Sequence, residues 1–108
     1  MKHPDAIVIP PGLAKLMQLN WSDKVVLALL MQEAGKNGGI CTLSNIELTE
    51  ITGISGIHLP MNRLEIYGFI QRRMVPSSGK QGIHRQTTIT EKAVKIMENN
   101  DVKINISP

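Results

Sequence analysis

Five bases stand between residues 63 and 85 of this 108-residue chain: Arg63, Arg72, Arg73, Lys80 and Arg85. One acid, Glu65, accompanies them, so the segment carries a formal +4 where the whole chain carries +3, and the remainder is close to neutral. Guanidinium and ammonium groups gathered in one structural unit are the chemistry of polyanion binding, because each can neutralise a phosphate and donate to its oxygens. His84 adds a donor inside the same segment. Other chemistries find less support. The metal-ligating types are His3, Cys41, His58 and His84, and their spacing fits no ligand motif. The acids are scattered, mostly at helix starts, with no paired carboxylates and no nucleophile beside a base. GKNGG and SSGKQG lack the spacing of a phosphate-binding glycine loop. No enzymatic activity, no metal and no cofactor is expected.

The elements that must position these bases follow from composition and pattern. The length suits one domain. With Trp21, Tyr67 and Phe69 the only aromatics, the core must be aliphatic. No apolar run reaches the roughly 18 residues of a membrane span, and MKHPDAIVIPPG does not read as a signal peptide. A single cysteine, Cys41, forms no internal disulfide and is expected to be a small buried residue, so a cytoplasmic location is expected.

Residues 1–19 read as a lead-in, with Ile7-Val8-Ile9 extended, Pro10-Pro11 breaking it, and a short helix after Pro11. The clearest helix begins near Trp21, capped by Asn20 or Ser22 with Asp23 in its first turn, and stops at Gly35 and Gly38-Gly39. Trp21, Val25, Ala28, Leu29 and Gln32 are expected on one face, with Val26 and Leu30 beside it. Ile40–Leu43 is a short β-like link. Ser44 and Glu47 form a capping box for a helix to about Thr52, and Gly53 permits a sharp exit. Ser55 is expected to cap a second helix running to Tyr67, ended by Gly68. Pro60 falls inside it and would remove one helical bond unless the helix starts later. Phe69–Val75 and Ile83–Ile89 read as two strands joined by a flexible turn. Thr90 caps a last helix, about residues 91–99, and residues 101–108 are expected to be a flexible tail. The fold class is mainly α with a small β-hairpin, an α+β domain over residues 20–100.

Helix, short strand, helix, turn, helix and hairpin is the plan of a winged helix-turn-helix domain. Leu48-Thr49-Glu50-Ile51-Thr52-Gly53-Ile54-Ser55, Arg63-Leu64-Glu65-Ile66-Tyr67-Gly68-Phe69-Ile70 and Thr88-Ile89-Thr90-Glu91-Lys92-Ala93 resemble, in order and spacing, bacterial and phage winged helix-turn-helix DNA-binding proteins of the multiple-antibiotic-resistance-repressor and replication-initiator types. Thr49 and Ala93 depart from that pattern, standing where Ala and Gly are usual. Leu48, Ile51, Ile54, Ile57, Met61 and Leu64 would form the wedge between the two helices.

The resemblance implies a small transcriptional regulator that binds double-stranded DNA. Helix 55–67 would enter the major groove and the 70–89 wing would lie on the backbone or minor groove. Ser55, Gly56, His58, Leu59, Asn62 and Arg63 are the candidate contacts of the helix. Arg72, Arg73, Lys80, His84 and Arg85 are those of the wing, and alternation places only one of Arg72 and Arg73 on the DNA side. Asn62 is the residue suited to a base edge. With no Arg or Gln among residues 55–62, modest base discrimination is expected. A homodimer is expected, because pairing doubles a small site. Ile7, Ile9, Leu13, Leu16, Met17, Val94 and Met97 of the lead-in and last helix are its candidate contacts. Two alternatives stand beside this reading. One is a replication or plasmid-maintenance module on DNA. The other is a winged-helix module that binds a protein through Leu59, Pro60 and Met61.

Overall fold

The computed structural model of the protein describes residues 6–76 and 83–95. The expected turn over residues 77–82, the expected continuation of the last helix beyond residue 95 and the expected tail over 101–108 lie outside the described residues, and Lys80 and Met97 with them. The elements in order are α1 (Pro11–Ala14), α2 (Trp21–Gly35), β1 (Ile40–Cys41), α3 (Asn45–Thr52), α4 (His58–Ile66), β2 (Ile70–Pro76) and β3 (Ile83–Ile89), followed by a helical turn α5 at 91–95. The class is α+β: helices packed on a three-stranded antiparallel sheet of order β1–β3–β2.

Helix α2 is the centre. The Asn20 side chain accepts from the Asp23 amide and the Asp23 carboxylate accepts from the Asn20 amide, at 2.9 and 3.3 Å. Asn20, not Ser22, is thus the cap, closed as a reciprocal box. α2 touches α1, α3, α4, β1 and β3, and five consecutive residues, Val26 to Leu30, are buried. The expectation of one apolar face led by Trp21 is therefore corrected: Trp21 is 63% exposed, because a helix enclosed on several sides has no single inner stripe. Each fully buried Leu here contributes about 1.5–3 kcal/mol.

The lead-in folds back on the same chain. Gln32 of α2 accepts from the Val8 amide and donates to the Ala6 carbonyl. Leu13 is buried, and Ile7, Ile9 and Leu16 pack against the core. Of the lead-in's apolar residues, Met17 stays 95% exposed. The buried Lys24 places its ammonium on the Ala14 carbonyl at 2.7 Å and over the Trp21 ring, which satisfies a charge otherwise costly to bury.

α3 begins with the Ser44–Glu47 capping box and ends at Gly53, whose φ of 74° is left-handed. The start of α4 differs from expectation. Gly56 is also left-handed, with φ 64°, which interrupts helical dihedrals after Ser55. The helix therefore begins at His58, Ile57 holds the cap position without a side-chain bond, and the last helical residue is Ile66. The expected span of 55–67 and the Ser55 cap are both corrected. The same shift accounts for Pro60. It is the third helical residue, where an amide has no intrahelical acceptor; the first helical bond comes from the Met61 amide to the Ile57 carbonyl. Leu48, Ile57, Met61 and Leu64 are buried in the core, and Ile51 and Ile54 pack against it; α3 and α4 both pack on α2.

The sheet register pairs Ile70 with Ile89, Arg72 with Thr87, Met74 with Arg85 and Pro76 with Ile83. Directly opposed residues share a face. Ile70, Arg72, Met74, Thr87 and Arg85 thus line the side toward α3 and α4, while Arg73, Val75, His84 and Gln86 line the other.

Candidate nucleic-acid interface

Helix α4 and the hairpin meet through one side-chain network. Asn62 and Glu65, three residues apart, lie on one flank of α4. Arg72, at the third position of β2, reaches both. Its Nη2 donates to Asn62 Oδ1 at 2.8 Å and to Glu65 Oε1 at 2.7 Å, its Nε donates to Glu65 Oε1 at 3.3 Å, and its own backbone amide donates to Glu65 Oε2 at 3.2 Å. These bonds to Arg72 hold the Glu65 carboxyl below its usual range, although partial desolvation opposes them.

The sign of the pH effect follows. A depressed folded-state value means that the Glu65 contribution is present above the ordinary Glu pKa and is lost as pH falls through the depressed one. A carbon-13 NMR titration of the Glu65 carboxyl is expected to show a midpoint below that of an unstructured Glu, and Arg72→Ala is expected to return it. An unchanged midpoint in the variant would refute the assignment.

Arg85 lies on the same hairpin face. Its Nη1 donates to Asn45 Oδ1 at 2.6 Å and its Nη2 to the Leu43 carbonyl at 2.8 Å. Both acceptors are neutral, and no carboxylate pairs with Arg85 among the described residues. Burial lowers its pKa, and the nearby Arg72 charge adds to that, yet a guanidinium remains charged throughout. The face therefore carries one Arg neutralised by Glu65 and one that is not neutralised.

The other candidates divide. Arg63 turns away from the exposed flank of α4: its Nε donates to both carboxylate oxygens of the buried Asp23, at 2.9 and 3.0 Å. Arg73 is exposed on the opposite face of the hairpin, and His84 shares that face. Ser55, Gly56 and His58 are exposed at the start of α4. Leu59 is 53% and Ile66 80% exposed on the helix. Lys80 is outside the described residues. Between α3 and the far end of the hairpin lies an open groove of about 560 Å³, with Ile46, Met74 and Ile83 as its apolar lining beside Arg85.

Glu65, Asn45 and Asp23 are the partners that sequence reasoning missed. Glu65 carried a usable signal, since its spacing from Asn62 put both on one flank. Asp23 and Asn45 carried none, each lying forty residues from the arginine it binds. Cys41 is buried, as expected, and burial raises its thiol pKa. Among the described residues no helix is long and apolar enough to cross a membrane, and no group of three or more His, Cys, Asp or Glu is placed to hold a metal.

Compared with known proteins, the chain matches no family model, no curated protein and no solved structure.

Proposed function

We propose that this chain is a DNA-binding protein of winged helix-turn-helix plan, acting as a small transcriptional regulator. In this reading α4 enters the major groove and the β2–β3 hairpin lies along the flanking backbone or minor groove. The observation that carries it is the Asn62–Arg72 hydrogen bond. It joins the exposed flank of α4 to the hairpin face that also bears the unneutralised Arg85, so helix and hairpin offer one polar, basic surface. The order α2–β1–α3–α4–β2–β3, with β1 on the outer edge of β3, supports the same reading. Two copies on one site would double a small contact area.

The test is fluorescence anisotropy of a labelled random duplex across a salt series. Binding is expected to weaken linearly in log–log terms as salt rises, with a slope set by the number of phosphates contacted. His58→Glu sharpens it. An acid at the first helical position suits the helix dipole, so thermal stability is expected to hold or rise. The same carboxylate facing phosphates is expected to weaken binding several-fold. Opposite movements of stability and affinity are hard to produce by misfolding. Absence of binding at about 50 mM salt, where electrostatic affinity is strong, would overturn the proposal.

A second reading has one specific observation behind it. Leu59 and Ile66 leave exposed apolar surface on α4, whereas Pro60 and Met61, expected on such a surface with Leu59, are buried because they face the core. A protein-binding surface centred on α4 is the reading to take up if duplex binding fails.

A further inference from the structure

The two outer edges of the sheet are not alike. The Thr90 amide donates to the Phe69 carbonyl, which fixes the alternation of the β2–β3 ladder. Gln71 with Thr88, Arg73 with Gln86 and Val75 with His84 are the pairs that exchange bonds. The backbone groups of Arg72, Met74 and Pro76 on one strand, and of Thr87, Arg85 and Ile83 on the other, therefore point outward. On the β2 side that edge is blunted: the Arg72 amide is taken by Glu65, and Pro76 has no amide. On the β3 side, β1 ends at Cys41 and pairs only with Thr87 and Thr88. Among the described residues no strand meets Arg85 and Ile83 on that side.

The open groove described above lies against this stretch of β3. Thr42, Ser44 and Ile46 line it from the departing chain and α3, and Met74, Ile83 and Arg85 from the hairpin. Ile46, Met74 and Ile83 are all exposed. Glu47 is the acid in the lining, and its carboxylate accepts from the Ser44 amide at 3.0 Å. Arg85 uses two of its five N–H hydrogens, both on neutral acceptors, and its buried Nε has no partner.

We propose that this edge is a docking site for an extended segment of a partner protein, added as a strand where β1 stops. An extended backbone is what matches the outward groups of Ile83 and Arg85. Directly opposed residues share a face. A carboxylate opposite Arg85 thus enters the groove, and an apolar side chain two residues away, opposite Ile83, enters with it. The partner segment carries an acid and an apolar residue at i and i+2, in either chain direction. The inference goes beyond the DNA reading and does not depend on it; where both hold, the two ligands compete for Arg85.

The probe is a fluorescein-labelled peptide, Ser-Thr-Val-Thr-Asp-Thr-Val-Thr-Ser, whose acid has valine two residues away on both sides. Its control is the same peptide with Asn in place of Asp. Anisotropy with the full chain is expected to show saturable binding of the Asp peptide. The Asn peptide is expected to bind on the order of tenfold more weakly, because a charge-assisted pair with a guanidinium is lost. Both peptides are compared on the wild-type chain, so this outcome stands whatever a variant does to folding. Ile83→Pro removes the docking amide at the first residue of β3, which the β2 ladder does not use. Its thermal unfolding is expected to stay near that of the wild type while peptide binding is lost, and Ile83→Val is expected to keep binding. Arg85→Gln is expected to bind the two peptides alike. In nitrogen-15 NMR spectra the Asp peptide is expected to shift the Ile83 and Arg85 amides. No saturable binding at about 1 mM peptide, equal affinity for the two peptides on the wild type, or shifts confined to α4 would overturn the proposal. A dimer of the chain that the peptide dissociates and Ile83→Pro abolishes would also overturn it, by giving the edge to a second copy.

Discussion

Phe69→Ala is expected to cost about 3–5 kcal/mol of unfolding free energy. The residue is the chain's only phenylalanine and is fully buried. Its place explains the size of the effect. Gly68, left-handed at φ 82°, turns the chain out of α4, and the Phe69 amide donates back to the Leu64 carbonyl at 2.9 Å. The Phe69 carbonyl accepts from the Thr90 amide at 3.0 Å, and the Lys92 ammonium lies 5.1 Å from the ring centroid. One side chain therefore packs where α4 ends, β2 begins and α5 starts. Truncating it opens a cavity at that crossing and frees the hairpin from the helix together. A small domain has only about 5–15 kcal/mol in all, so the variant should lose a large part of its stability. Urea unfolding reads this as a lower midpoint, with Phe69→Leu falling between the variant and the wild type. A loss below about 1 kcal/mol, far under the usual range for such a truncation, would show that the hairpin is held by other contacts.

Asp23→Ala is expected to follow at about 2–4 kcal/mol. Two roles are lost at once: the reciprocal half of the α2 cap and the partner of Arg63. The figure is kept below that for a wholly buried pair because the Arg63 side chain is partly exposed and can turn to water. A double-mutant cycle with Arg63→Ala separates the two roles. The coupling energy reports the ion pair, and the part of the Asp23→Ala loss that persists without Arg63 reports the cap. Since Arg63 ties α4 to α2, Arg63→Ala is expected to lower stability while leaving duplex affinity per folded molecule little changed. A large affinity loss in a stably folded Arg63→Ala protein would instead return Arg63 to the interface.

Sequence signals are legible here where the chemistry is local. Ser44 with Glu47, Gly53 after Thr52, and the hairpin strands each depend on residues a few positions apart, and they stand close to where the pattern puts them. The start of α4 is not legible in this way, because a serine before an apolar run looks like a cap, and only the backbone shows that Gly56 takes the left-handed region. The candidate interface is legible as a set of residue types but not as an arrangement. Alternation separates Arg72 from Arg73. It does not show that Glu65 and Asn62 claim Arg72, that Asn45 and the Leu43 carbonyl hold Arg85, or that Arg63 is spent on Asp23. Those pairings are made by packing between elements, across seven and ten residues for Arg72 and forty or more for Arg63 and Arg85. For the same reason the lead-in, which looks like spare apolar surface, is largely used by its own core through Gln32 and Leu13.

The strand order has a consequence for how the molecule is made. β1 and β2 each pair with β3, and not with one another, yet β3 is the last of the three to be synthesised. Ile40 and Cys41 wait for Thr88 and Thr87, and β2 waits for the return of its own hairpin. Until Ile83–Ile89 leaves the ribosome, the nascent chain holds helices and two strands with open edges, the kind of edge that other chains can pair with. Translation that stops before Ile83 leaves neither of the described strand pairs formed.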